Sequence, residues 1–168
     1  AKLGSSRTLS GKKAVVLAGT GPVGQRACVM LANEGASVAL TSRSLARAEK
    51  ACNDMNDRFG VELTPIEAFS NDDRGQSISD AEIIFTTGAA GIQLLNTHHW
   101  ADNPNIELMA DANATPPLGI EGTDMLDRGK ERDGKIVWGA IGFGTLKLAL
   151  HRACIARLFE TNNLVLDA

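Results

Sequence analysis

Residues 13–24 read KAVVLAGTGPVG, and this stretch decides the fold. KAVVLA (13–18) is a short continuous apolar run, the pattern of a strand buried in a parallel sheet. It runs into Gly19-Thr20-Gly21-Pro22-Val23-Gly24, a G-x-G-x-x-G turn. In such a turn Gly19 permits the tight bend and Gly21 lets a pyrophosphate approach the backbone. Gly24 lets the following helix pack close on the strand. Pro22 suits a first helical turn, where its missing N–H costs little. Val23, Ala27, Met30 and Leu31 then recur at helical spacing over 23–33, and Gly35 is placed to end that helix. A purely structural turn is the competing reading. The strand before it and the helix after it favour an anion held at the helix N-terminus, as in dinucleotide binding.

The same alternation continues outward. Residues 37–40 read as a second strand. Residues 44–59 read as a helix with Ser44 as N-cap and Leu45, Ala48, Cys52, Met55 and Phe59 on one face. A weaker strand over 63–68 precedes a short polar helix over 71–79. EIIFTT (82–87) is a fourth strand, followed by a small-residue turn at 88–91 and a stretch over 92–100 that is helical in pieces. Residues 106–111 form a fifth strand leading into a loop with the Pro116–Pro117 pair, and 135–138 a sixth strand. GAIGFG (139–144) reads as a third glycine-rich loop before a helix over 145–159. Strands alternating with helices at this spacing predict an α/β fold: a Rossmann-type doubly wound parallel sheet in three αβα layers. Residues 11–168 make one nucleotide-binding domain, and 1–10 a polar lead-in.

Composition sets outer limits. A chain of 168 residues, 43% hydrophobic and 22% charged, is long enough for one well-buried core. Its formal charge of -3 gives no electrostatic reason to expect nucleic acid or an anionic membrane as partner. No apolar run reaches the ~18–20 residues of a membrane span, and the N-terminus lacks a signal-peptide pattern. Cys28, Cys52 and Cys154 are too few and too scattered for a disulfide framework or a zinc site; they read as small buried or half-buried thiols in a reducing cytoplasm. There is no tyrosine, so chemistry that needs a phenol is excluded from this chain. His98–His99 invites a metal reading. Adjacent helical histidines face different ways and no third ligand is evident, so no metal is expected.

The identity of the dinucleotide is read after the second strand. NAD sites place an acid there for the ribose hydroxyls. Here the chain reads Thr41-Ser42-Arg43-Ser44-Leu45-Ala46-Arg47, with no acid before Glu49. Ser42, Arg43, Ser44 and Arg47 suit a 2′-phosphate through charge-assisted hydrogen bonds, although Arg47 also fits a solvated helix surface. The expected cofactor is NADP, with NAD tolerated because serines also accept a bare ribose. Ligands of open parallel sheets lie beyond the carboxyl ends of the strands. Strand four delivers Thr86, Thr87, Gly88 and Ala89 there. Strand five delivers Asp111 and Asn113, as contacts for cofactor or substrate or, for Asp111, as a loop cap. Amides at Gly142 and Phe143 are expected to face the nicotinamide end. Lys147 and His151 sit at i, i+4 on the last helix, with Leu146, Leu150 and Ala153 on a neighbouring core-facing stripe. A lysine just inside a helix N-terminus opposes the dipole, which singles out Lys147, although a plain surface lysine is the competing reading.

The runs LAGTGPVGQRACVMLANEGA (17–36), LTSRSLARAEKAC (40–52), IFTTGAAGIQLL (84–95), ADANATPPLGIEGTDMLDRGKE (110–131) and GAIGFGTLKLALHRACIARLFE (139–160) together resemble the bacterial NADP-dependent methylene-tetrahydromethanopterin dehydrogenases. The last three runs are more specific than the glycine turn. The resemblance implies hydride transfer from the methylene bridge of a reduced pterin to NADP, leaving a methenyl cation, in one-carbon metabolism. That step removes no proton, so it demands no general base. The work is orientation and exclusion of water. The resemblance also implies that Lys147 is an active-site lysine and that the enzyme is a homo-oligomer. It further implies a substrate domain before residue 1 and a helical tail after residue 168, so that 1–10 become a hinge and this piece alone turns over little. A methylene-tetrahydrofolate or shikimate-type dehydrogenase, or a non-catalytic NADP-binding module, are the alternative readings.

Overall fold

The computed structural model describes residues 9–160 and 163–164; the lead-in at 1–8 and the side chains of Thr145 and Leu146 lie outside the described residues. The glycine turn joins β1 (Lys13–Leu17) to α1 (Pro22–Asn33). β2 (Ser37–Ser42), α2 (Leu45–Phe59), β3 (Leu63–Glu67), α3 (Asn71–Ser77) and β4 (Ile83–Thr86) follow in the expected order. α4 (Thr97–Trp100), β5 (Leu108–Asp111), β6 (Arg128–Arg132), β7 (Lys135–Trp138) and α5 (Ala140–Leu158) complete the chain.

The strands form one seven-stranded sheet in the order β3-β2-β1-β4-β5-β7-β6. All pairings are parallel except the β6–β7 hairpin. The expected Rossmann-type architecture is therefore present, with one antiparallel edge that the sequence reading missed. β6 reads Arg-Gly-Lys-Glu-Arg and has no apolar pattern to detect, as suits an edge strand facing water.

Alternation along β1 divides the core. Ala14 and Val16 point to one side with Val38 and Leu40, where α1 and α2 contribute Cys28, Val29, Ala48, Cys52 and Met55. Val15 and Leu17 point to the other, packing with Ile78, Ile84, Leu95, Trp100, Met109 and Ile120. Leu9, at the end of the lead-in, packs against the first cluster. Trp100 is buried, its indole N–H donating to Glu121 O at 3.1 Å. The cysteines are free thiols, Cys28 and Cys52 buried and Cys154 half-buried, and burial pushes the Cys28 thiol up to about 12.

Several expectations change at the level of faces. On α1 the buried residues are Gly24, Cys28 and Val29, while Val23 and Met30 face out, Met30 at 69% exposure. On α2, Leu45 and Phe59 lie outside the buried stripe of Ala48, Ala51, Cys52 and Met55. Ser44 is the N-cap residue but its hydroxyl makes no capping bond. Over 92–100 only the single turn of α4 is helical.

The largest correction concerns GAIGFG. It is not a loop: α5 begins at Ala140, with Gly139 as its N-cap. A Cβ on Gly139 would meet Asp124 O at 2.2 Å, and one on Gly142 would meet Asp127 O at 1.8 Å. These glycines let the helix lie directly on the backbone before β6. The expected core-facing stripe of α5 also fails among its described side chains, since Leu150 is 65% exposed and Ala153 is exposed as well.

Candidate functional site

The sheet reverses strand order between β1 and β4, and the crevice at the carboxyl ends of such strands is where doubly wound sheets take ligands. The β1–α1 turn stands at this point. Ala18 takes a left-handed φ of 54°, with its N–H held by Thr41 Oγ1 at 3.0 Å. Gly19 N–H donates to Thr41 O at 3.0 Å. Thr87 Oγ1 donates back to Leu17 O and Ala18 O at 3.1 and 3.2 Å, so β2 and β4 clamp the turn from both sides.

Each glycine of the turn has its own surroundings. A Cβ on Gly19 would lie 2.9 Å from Leu40 Cγ. One on Gly24 would lie 2.5 Å from Gly19 Cα and 2.6 Å from Thr87 Oγ1. A Cβ on Gly21 would meet nothing within 4 Å. Gly24 is therefore glycine because protein is there, and Gly21 opens onto space. Gly21 is also the N-cap of α1 and offers no side chain to the first-turn amides. Pro22 follows it, and no acid stands in the first turn. This arrangement leaves donors and the positive helix end for an outside anion.

Two cavities flank the turn. The smaller, about 150 Å³, is lined by Ala18, Thr20, Ser42, Arg43, Ser44 and Arg47. The larger, about 520 Å³, shares Ala18, Ser42 and Arg43 and extends past Ala68, Arg74, Gly88, Ala89 and Leu94. Neither lining contains a carboxylate. Glu67, across from Ser42 at the end of β3, accepts from the Leu45 N–H at 3.1 Å and so caps α2. Arg43 and Arg47 are both exposed and stand at the smaller cavity, ready for a multiply charged anion.

The other expected residues divide. Thr86 and Asp111 are buried together: Thr86 Oγ1 donates to Asp111 Oδ1 at 2.6 Å. The same carboxylate accepts from Asn113 N at 2.9 Å and Ile120 N at 3.1 Å. At 1% exposure, Asp111 ties down the loop between β5 and β6. Asn113 accepts from Thr115 N at 2.9 Å and donates to Pro117 O at 3.0 Å, beside the cis Pro116–Pro117 bond. The Gly142 and Phe143 amides donate to Met125 O and Gly139 O within the start of α5. The Phe143 ring meets Phe85 edge-on at 6.3 Å, in an apolar groove with Met30, Leu108 and Trp138 on the α1 side of the sheet. Lys147 is exposed and lines neither cavity. Because α5 starts at Ala140, Lys147 is well inside the helix, and the dipole argument for it lapses.

Two features escaped the sequence reading. Arg74, at 8% exposure, lines the larger cavity from α3. The histidine pair also differs from expectation: the His98 and His99 rings lie 4.0 Å apart, and Asp72 from α3 joins them. His99 Nδ1 accepts from Asn96 N–H at 3.1 Å, so in the neutral ring Nε2 carries the proton and donates to Asp72 Oδ1 at 3.0 Å. That pairing fastens α4 to α3 and occupies both ring nitrogens.

No family model matches the chain. It is 50% identical over 161 residues to the "Bifunctional protein MdtA" of Methylorubrum extorquens, covering 96% of this chain and 56% of that protein. It is 33% identical over 121 residues to the "NAD(P)-dependent methylenetetrahydromethanopterin dehydrogenase" of the same organism, covering 71% of this chain and 41% of that one. Both matches bear out the resemblance read from the sequence. The chain spans about half the length of these curated relatives. Among solved structures, the transhydrogenase from Sinorhizobium meliloti aligns with a TM-score of 0.56 at 18% identity, over 89% of this chain and 45% of that one, which speaks for the fold alone. Among the described residues, no helix is long and apolar enough to cross a membrane.

Proposed function

We propose that this chain, similar over nearly all its length to the bifunctional protein MdtA and over 71% of it to a methylenetetrahydromethanopterin dehydrogenase, is the NADP-binding part of such a dehydrogenase, acting in cytoplasmic one-carbon metabolism. The observation that carries this reading is the open space over Gly21, at an uncapped helix N-terminus beside two arginines and no lining carboxylate. The residues fit the cofactor: a Cβ on Gly21 would fill the room a pyrophosphate needs, and a 2′-phosphate meets opposite charge.

Gly19–Gly24 and the first turn of α1 hold the pyrophosphate. Ser42, Arg43, Ser44 and Arg47 hold the 2′-phosphate, and the two serine hydroxyls also accept the bare ribose of NAD. Thr87, Gly88 and Ala89 at the end of β4 border the path toward the nicotinamide. Thr86, Asp111 and Asn113 act there through the loop they brace. Gly142 and Phe143 support that end by seating α5. When bound, the cofactor supplies the hydride acceptor for a methylene carbon lying between two pterin nitrogens. This chain orients it and excludes water, and no side chain has a proton to remove. Lys147 serves the pterin from α5.

Residues 11–168 are the nucleotide domain and 1–10 lead in from a substrate domain. The uncovered apolar faces of α5 and the adjoining groove support further protein packing there, in the substrate domain and in a homo-oligomer. Isothermal titration calorimetry tests the central claim: NADP should bind more tightly than NAD, and Arg43→Ala should remove most of the difference. Equal affinities for the two cofactors would overturn it. On its own the chain should catalyse little methylene-tetrahydromethanopterin oxidation; full turnover would overturn the two-domain assignment.

A further inference from the structure

Arg74 is a cation in an unusual position. It is nearly buried in α3, yet it lines the larger cavity with Arg43. Its Nη1 donates to Asn71 Oδ1 at 2.5 Å and its Nη2 to Phe69 O at 2.9 Å, both neutral acceptors. The acids nearby are committed elsewhere. Asp73 Oδ2 accepts from Ser70 N at 2.8 Å and Phe69 N at 3.1 Å, closing the capping box of α3. Asp72 is bonded to His99. Burial, and then the like charge of Arg43, both work against the charged form of Arg74, opposed by Asp73.

A guanidinium buried on neutral oxygens is costly unless something anionic shares its field. Arg43 lines both cavities, sharing the smaller with Arg47 and the larger with Arg74. Repulsion from Arg74 favours conformations of Arg43 turned toward the smaller cavity, and a dianionic 2′-phosphate arriving there relieves the repulsion within the set. NAD brings no such charge. We propose that Arg74 is a specificity-determining positioning residue: sharing the larger cavity with Arg43, it biases the site toward the 2′-phosphorylated dinucleotide. The inference rests on the NADP reading above.

The test is calorimetry with NADP and NAD on the whole chain, comparing wild type, Arg74→Gln and Asn71→Asp. Wild-type preference for NADP is measured first, and its absence would sink the cofactor reading itself. Given that preference, Arg74→Gln should weaken NADP about five- to tenfold while NAD changes less than about twofold. Asn71→Asp retains the arginine but sets a carboxylate against its Nη1. It should lower the NADP-to-NAD ratio in the same direction, and it decides the matter if Arg74→Gln fails to fold. Equal weakening of both cofactors would make Arg74 an adenine contact or part of the scaffold. An unchanged ratio in a folded variant would overturn the proposal.

Discussion

Gly21 and Gly24 are glycine for opposite reasons, and the difference is measurable. Gly24→Ala drives a Cβ into the Gly19 backbone, which cannot move without opening the β1–α1 turn. It should cost about 1–3 kcal/mol, read as a lowered Tm. Gly21 has φ −79°, a conformation alanine adopts freely, with nothing within 4 Å of the added methyl. Gly21→Ala should therefore melt like the wild type and bind NADP more weakly; unchanged affinity would return the turn to a purely structural role. The spacing of these glycines is visible in the sequence because a strand and a helix fix what lies on each side. Arg74 is not visible that way. In Asn-Asp-Asp-Arg-Gly it looks like a charge on a solvated helix, and only the packing of α3 beside the end of β3 turns it into a cavity wall.

At the scale of elements, the β6–β7 hairpin and the start of α5 depend on each other. Asp127 is buried and held by Arg132, Nε to Oδ2 at 2.6 Å and Nη2 to Oδ1 at 2.8 Å. Its backbone carbonyl accepts from Gly139 N–H at 2.9 Å, under the first turn of the helix. Burial alone would raise the Asp127 carboxyl, but Arg132 and the Asp124 N–H outweigh it and hold the group below its ordinary value. A carboxyl lowered in the folded state contributes stability that is present above its unfolded pKa and lost as pH falls through the folded one. Amides of β6 and of the Gly139 turn should accordingly lose hydrogen-exchange protection on acidification below the ordinary carboxylate range, before those of β1. Asp127→Asn should show the loosening already at neutral pH, at a cost of about 2 kcal/mol given the partial exposure of Arg132. A hairpin equally protected in both proteins would refute this account. None of it was legible beforehand: RGKER carries no strand pattern, and GAIGFG reads as a loop until Asp127 O is found where a Gly142 side chain would be.

For the whole molecule, α5 sets the open question. Leu148, Leu150, Ile155 and Leu158 are exposed, and a helix apolar on most of its circumference is ordinarily buried. In the isolated chain, amides over 150–158 should exchange far faster than those of β1 and β4, because few contacts hold that half of the helix. Protection equal to the core strands, together with a dimer or larger species in sedimentation equilibrium, would mean that a second copy already covers it. The sequence by itself determined the doubly wound order of elements, the position of the glycine turn and the acid-free end of β2. Those follow from local patterns: continuous apolar strands, helical periodicity and glycines at fixed offsets. Only the tertiary structure decided that Asp111 braces a loop, that Asp72 joins the histidine pair, that Arg74 lines a cavity with Arg43, and that α5 leaves its apolar faces uncovered. Each of these depends on which distant backbone or side chain lies opposite, and contacts between residues far apart in sequence leave no periodic trace in the chain.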